Sequence, residues 1–266
     1  MSNDQMQQRS AGDHAARRAP RAVLLDVDGT LIDSNDAHAR SWVDTFAEFG
    51  HDVPFEKVRP LIGMGGDKLL PTLTGIEKES EEGERLSARR GEIFRERYLP
   101  SLRAFPGARD LLIRLKRDGR ALVVATSAQE KEMRALLKQA GVDDLIEERT
   151  SSSDAERSKP DPDIVEAAVE RSGARPDECV MLGDTPYDVR ASRRAGVPVV
   201  ALRSGGWSDA ELVGATEIHD DAAALLADYD RSVLSRGAPA GARADARVEA
   251  SREQARDADR VSDGTT

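Results

Sequence analysis

Unbroken apolar runs alternate with helical patterns along most of this chain. The runs are Arg21–Leu25, Ala121–Ala125, Leu145–Ile146, Val180–Leu182 and Val197–Leu202. The first, second and fourth contain no polar interruption after their first residue, as strands covered on both faces do. Between them, apolar residues return at helical spacing. Leu111, Leu112 and Leu115 mark a helix over Ala108–Arg117, and Met133, Leu136 and Leu137 another over Glu130–Ala140. Ile164, Val165, Ala168 and Val169 mark a third over Ile164–Arg171, with Asp161 expected as N-cap, Pro162 in the first turn and Gly173 past the end. Alternating β and α elements predict an α/β fold with a Rossmann-like parallel sheet and right-handed crossovers.

One stretch departs from this rhythm. Residues 35–105 offer amphipathic stripes and no strand: Trp42, Phe46 and Phe49; Leu69, Leu70 and Leu73; Ile93, Phe94 and Tyr98. Such a length is too great for a loop inside a compact domain. It predicts an all-helical subdomain inserted after the first strand, where a lid would sit. The α/β core is then 21–34 plus 106–234. Residues 1–20 are polar and Gln-rich, and 235–266 are mostly Ala, Arg, Asp, Glu, Gly and Ser with only Val248 and Val261 as large apolar residues. Both ends are expected to be disordered tails, with at most a transient helix over Asp245–Arg260.

Composition narrows the function classes. The 266 residues allow one large or two modest domains, and 39% hydrophobic residues suffice for a sizeable core. A net charge of −10, spread along the chain, argues against a nucleic-acid partner. Cys179 is the only cysteine, which excludes an internal disulfide, and it reads as a small buried hydrophobe. The four histidines are too scattered for a zinc-type cluster. No run approaches the ~18 apolar residues of a spanning helix, and the N-terminus lacks an apolar signal core, so a cytoplasmic protein without membrane contact is expected. Nothing in the pattern speaks to oligomeric state.

The chemistry gathers at the ends of the predicted strands. Val23-Leu24-Leu25 leads directly into Asp26-Val27-Asp28-Gly29-Thr30. Ligands of open α/β sheets bind beyond the carboxyl ends of strands. Two acids one residue apart in a strand face opposite ways, so serving one site requires the chain to turn, and Gly29 permits that. Thr126-Ser127 closes the second run, Ser158-Lys159-Pro160-Asp161 precedes the capped helix, and Gly183-Asp184-Thr185-Pro186-Tyr187-Asp188 follows the fourth run. Each alone is an ordinary cap or turn. Together they bring an acid pair, hydroxyls, a lysine and a second acid pair to one sheet edge, which is what phosphoryl transfer requires. A carboxylate can serve as nucleophile and a second as acid and base, Mg²⁺ takes hard oxygen ligands, and a lysine with hydroxyls neutralises phosphoryl charge. Gly63-Met64-Gly65-Gly66-Asp67-Lys68, inside the helical insertion, reads either as a connection or as a substrate loop in which Lys68 meets a phosphate or carboxylate.

These motifs, in this order, resemble the haloacid dehalogenase (HAD) superfamily over about Ala22 to Leu226. The insertion resembles the family's C1-type cap, and Asp33-Ser34 with His38-Ala39-Arg40-Ser41-Trp42 resembles the cap entry of the phosphoglycolate phosphatase and β-phosphoglucomutase subgroup. The resemblance implies a phosphatase with Asp26 as nucleophile, Asp28 as acid and base, and Lys159 and Thr126 holding the phosphoryl oxygens. It implies Mg²⁺ on Asp26, the Asp28 carbonyl, Asp184 and Asp188. Ser127, Lys68 and His38 are the expected substrate contacts, with Arg59 near in sequence, and the substrate is a small phosphorylated metabolite such as phosphoglycolate or a sugar phosphate. A phosphomutase is the alternative, and a catalytically silent binding protein a remoter one. A dehalogenase is disfavoured by Asp28 and the full acidic fourth motif.

Overall fold

In a computed structural model, residues 19–237 are described. Six parallel strands form one sheet: β1 Ala22–Leu25, β2 Ala121–Ala125, β3 Glu148–Thr150, β4 Cys179–Gly183, β5 Val199–Leu202 and β6 Glu217–His219, in the spatial order β3-β2-β1-β4-β5-β6. The chain lays β2 and β3 on one side of β1 and β4 to β6 on the other. The carboxyl end of β1 is therefore the point where strand order reverses, the place such sheets keep for ligands.

Both faces of the sheet are covered. Val23 and Leu25 point into one core with Leu111, Leu112, Leu136 and Leu137, from helices α5 (Ala108–Arg117) and α6 (Glu130–Gln139). Ala22 and Leu24 point into the other with Ile164, Val165 and Val189, from α7 (Asp163–Ser172) and α8 (Pro186–Arg194). This double burial is why the central strands read as continuous apolar runs.

The insertion is built of α1 (Asn35–Glu48), α2 (Phe55–Val58), α3 (Gly66–Thr74) and α4 (Glu81–Ile93), the last continued by a π-type turn over Phe94–Tyr98. Trp42, Phe46, Leu69, Leu70 and Leu86 give it a core of its own. It joins the sheet through a narrow stem. Asp33 N donates to Arg103 O at 3.0 Å, Phe105 N donates to Leu31 O at 3.1 Å, and Ile32 bridges Ala104.

Three expectations are corrected and one strand is added. The third strand is not Leu145–Ile146 but Glu148–Thr150: Leu145 and Ile146 plug the main core from the α6–β3 connection, and the strand, lying at the sheet edge, is polar. Helix α7 begins at Asp163 with Pro162 as N-cap, because Asp161 is drawn into ion pairs with Lys68 and Arg194. A sixth strand, β6, is too short and polar to read from its pattern. Ser235 and Arg236, placed in the C-terminal tail, close a short helix α10 (Val233–Arg236) after α9 (Ala222–Ala227), held by burial of Val233 and Leu234. The rest of both tails lies outside the described residues. Cys179 is buried, as a small hydrophobe should be.

Leu25 is fully buried in the central strand. Leu25→Ala should cost about 2–5 kcal/mol, read as a lower urea midpoint with unchanged slope.

Candidate active site

At the end of β1 the backbone turns at Gly29, with φ +73°, a conformation costly for any residue with a side chain. A Cβ there would also lie 2.1 Å from the Asp184 Oδ2, so glycine both makes the turn and admits the acid. The turn is tied by Leu31 N donating to Val27 O and Gly29 N to Ile32 O, each at 2.9 Å. It brings Asp26 and Asp28 to one cavity despite their opposite strand parity.

Four charged groups meet in the buried floor. Lys159 Nζ lies 2.5 Å from Asp26 Oδ1 and 2.7 Å from Asp188 Oδ1, with the lysine side chain 1% exposed. Asp188 is fixed by the start of α8. Its Oδ2 accepts from Thr185 N at 3.0 Å and Thr185 Oγ1 at 2.7 Å, while its own N–H donates to Thr185 Oγ1 at 3.1 Å. This reciprocal cap serves the helix with one carboxylate oxygen and leaves the other to the lysine. Asp184, wholly buried, accepts from Thr30 Oγ1 and Asn35 Nδ2, each at 2.9 Å.

With all three carboxyls ionised against one ammonium, two negative charges would be in excess. Burial, the largest effect, pushes Asp26 well above its usual range; Lys159 opposes this, and Asp188 and Asp184 add to it. Burial and the Asp188 charge push Asp184 to about 8 despite its hydrogen bonds from Asn35 and Thr30. Lys159 moves upward: burial favours its neutral form, but the Asp188 and Asp26 charges outweigh that. Asp26, Asp184 and Asp188 each offer an oxygen within 4.8 Å of the others. Hard carboxylate oxygens with two uncompensated charges fit a divalent cation of the Mg²⁺ type.

Asp28 differs in setting. Its Oδ1 accepts from Ser34 Oγ at 2.5 Å and from His38 Nε2 at 2.7 Å. Arg90 Nη1 lies 3.4 Å from His38 Nδ1. A guanidinium only donates, so Nδ1 accepts and Nε2 carries the proton given to Asp28. Burial alone would raise the Asp28 carboxyl, but His38, Ser34 and Arg90 outweigh it and hold the group below its usual range. Thr126 and Ser127 line the opposite wall. Thr126 Oγ1 accepts from Ala128 N at 3.1 Å, and Ser127 Oγ is buried without a partner, free for an incoming oxyanion.

The cap closes over this floor. Gly65 N donates to Ser158 Oγ at 3.1 Å, and a Cβ at Gly65 would sit 2.4 Å from Ser158 Cβ, so glycine permits the contact. Arg59 Nη2 donates to Gly205 O and Tyr187 Oη to Pro60 O, each at 2.7 Å. Lys68 ion-pairs with Asp161 beside the catalytic-loop lysine and is not among the residues lining the cavity. The cavity between cap and floor, open to solvent on one side, has about 80 Å³ of space, room for roughly half a dozen waters at one probe sphere each.

The structure thus brings Asp26, Asp28, Thr126, Ser127, Lys159, Asp184, Asp188 and His38 together and sets Lys68 and Arg59 at the cap seam. Thr30, Ser34, Asn35, Arg90 and Glu132 also belong to the site, and the sequence reading missed them. The first three flank Asp28 and could have been suspected from proximity; Arg90 and Glu132 carry no local signal among so many surface charges.

The family model "Haloacid dehalogenase-like hydrolase" matches residues 23–202. A phosphoglycolate phosphatase of Rhodospirillum rubrum is 32% identical over 217 residues, covering 77% of this chain and 89% of that protein. The Arabidopsis thaliana protein SUPPRESSOR OF QUENCHING 1, chloroplastic, is 34% identical over 206 residues, but these 75% of the chain span only 19% of that protein. The crystal structure of a hydrolase from Pseudomonas syringae superposes with a TM-score of 0.74 at 31% identity, covering 79% of this chain and 98% of that one.

The uncompensated charge has a consequence for stability. The folded Asp184 keeps its proton up to about pH 8, whereas an unfolded Asp loses it near pH ~3.9. Between those values the folded state binds more protons, so stability falls as pH rises. In EDTA, the unfolding free energy should decline from pH 5 to 8, less steeply in Asp184→Asn. Millimolar Mg²⁺ should raise the melting temperature more at pH 8 than at pH 6 in the wild type; equal shifts at both values would contradict this charge balance.

Proposed function

The chain belongs to the haloacid dehalogenase-like hydrolase family, and from that premise we propose that it is a Mg²⁺-dependent phosphatase of small phosphomonoesters acting through an aspartyl-phosphate. The carrying observation is the buried set Asp26, Lys159, Asp184 and Asp188 beneath a cavity that Asp28 also lines. Phosphoglycolate, after which the Rhodospirillum rubrum relative is named, or a sugar phosphate is the substrate class this reading takes.

In the first half-reaction an Asp26 carboxylate oxygen attacks phosphorus and the ester P–O bond breaks. Lys159 already engages Asp26 Oδ1, which leaves Oδ2 as the attacking atom. Asp28, which His38, Ser34 and Arg90 keep ionised in the free protein, takes up a proton as the phosphate dianion binds beside it and gives that proton to the departing alkoxide oxygen. Its Oδ1 is committed to Ser34 and His38, so Oδ2 is the atom that carries this proton. In the second half-reaction Asp28 takes a proton from water, whose oxygen attacks the phosphorus of the aspartyl-phosphate and releases inorganic phosphate and free Asp26. A single group placed in this way can contribute roughly 10²–10⁴-fold. Lys159, the Thr126 hydroxyl and the unpartnered Ser127 hydroxyl hold the phosphoryl oxygens. Mg²⁺ on Asp26, Asp184, the Asp28 carbonyl and, through water, Asp188 would supply the positive charge that lets an anionic nucleophile approach a phosphate dianion. The seated cap excludes bulk water, a gating role.

Phosphate release from a panel of small phosphomonoesters should require Mg²⁺ and vanish in EDTA. Asp26→Asn should lower turnover by at least ~10³-fold, because the amide is not a nucleophile, while circular dichroism stays unchanged. Retained turnover in that variant would overturn the mechanism. No release from any ester, with β-glucose 1-phosphate isomerised instead, would identify a mutase.

A further inference from the structure

Past the phosphoryl end, the cavity wall belongs mostly to the cap: Trp42, Ile62, Met64 and Leu69 are apolar, and the polar pair there is Arg90 of α4 with Glu132 of α6. The pair crosses from cap to core. Both Glu132 oxygens accept from the one nitrogen Arg90 Nη1, at 3.0 and 2.9 Å, and the two side chains are 15% and 6% exposed. Using a single nitrogen leaves the rest of the guanidinium fork uncommitted, and Arg90 Nε is buried with no hydrogen-bond partner. The guanidinium is held over the rings of Trp42 and Phe94, at 5.5 and 5.9 Å, so it cannot readily swing away. Glu132 lies in the first turn of α6, where the helix terminus favours a negative charge.

The alcohol end of the cavity therefore presents one cation already neutralised by one anion. A carboxylate carried by the leaving alcohol would compete with Glu132 for the same guanidinium while lying against its charge, beside two largely buried side chains. Like charges so placed repel strongly at low dielectric. A hydroxyl meets no such opposition: it can donate to a Glu132 oxygen, as a neutral polyol would.

We propose that Glu132 makes this site selective for phosphomonoesters of short, uncharged polyhydroxy alcohols and sets it against alcohols bearing a carboxylate. The inference rests on the phosphatase reading above and adds what the pocket recognises. Arg90 is the donor that Glu132 orients, and Glu132 is the element that repels.

Glycerol 3-phosphate and 2-phosphoglycolate are similar in size and differ in the group at issue. In the presence of Mg²⁺, wild-type kcat/KM should favour glycerol 3-phosphate by roughly tenfold or more, the scale a misplaced polar group imposes. Glu132→Gln keeps the shape and removes the charge, and the ratio should move toward phosphoglycolate by roughly tenfold or more. Arg90→Gln combined with Glu132→Gln should lose that gain, since no cation then remains to attract the carboxylate. A pair that merely latched the cap would change both substrates alike and leave the ratio where it was. A wild type that prefers phosphoglycolate, or a Glu132→Gln ratio equal to wild type, overturns the proposal; if the single variant does not fold, the wild-type ratio decides. Absence of Mg²⁺-dependent release from both esters, or release undiminished in Asp26→Asn, would instead bring down the phosphatase reading itself.

Discussion

A lysine buried between two aspartates is the constraint on which the rest of this site depends. Lys159 has no water to solvate its ammonium, so it must be met by Asp26 and Asp188, and both must be delivered with sub-ångström care. The fold supplies that care from three directions. Asp26 comes off the buried central strand, Asp188 is clamped by the first turn of a helix, and Lys159 stands on the loop that precedes another. Asp184 then enters as a third carboxyl for which Lys159 has no charge left, and burial beside Asp188 holds its proton on up to about pH 8. The site is finished as a scaffold and unfinished as an electrostatic system, which is why the proposed divalent cation and phosphate dianion, opposite in sign, would complete it together.

The cap contributes in a different manner. Asp28 is aligned partly by Ser34, at the cap entry, and partly by His38, on the first cap helix. The group proposed for proton transfer is therefore placed by the cap, while the proposed nucleophile is placed by the core. On that reading, opening the cap would loosen Asp28 without disturbing Asp26.

Much of this was legible in the chain because the relevant signals are local. Two-sided burial writes continuous apolar runs for β1, β2 and β4, with Asp26, Asp28, Thr126, Asp184 and Asp188 at or just past their ends and Lys159 in the turn before a helix, so these residues could be named before any contact was known. The insertion was legible through the loss of strand-like runs. What escaped was non-local or edge-bound. The edge strand β3 is polar because one side faces no neighbour, and the apolar pair Leu145–Ile146 imitated it from the adjoining loop. Asp161 looked like a helix cap, yet a lysine 93 positions earlier takes its carboxylate. Arg90 and Glu132, 42 residues apart, meet only when the cap is seated.

The stem that joins cap to core, Leu31–Asp33 beside Arg103–Phe105, is two short segments held by main-chain hydrogen bonds. Because those bonds are made by backbone atoms, the junction is indifferent to what is threaded between its ends. The helical insertion is in that sense a cassette: apart from His38, which aligns Asp28, its length and lining can change while the stem's main-chain bonds and the set Asp26, Lys159, Asp184 and Asp188 below stay in place. A lineage built this way can change its diet without relearning how to break a phosphate ester.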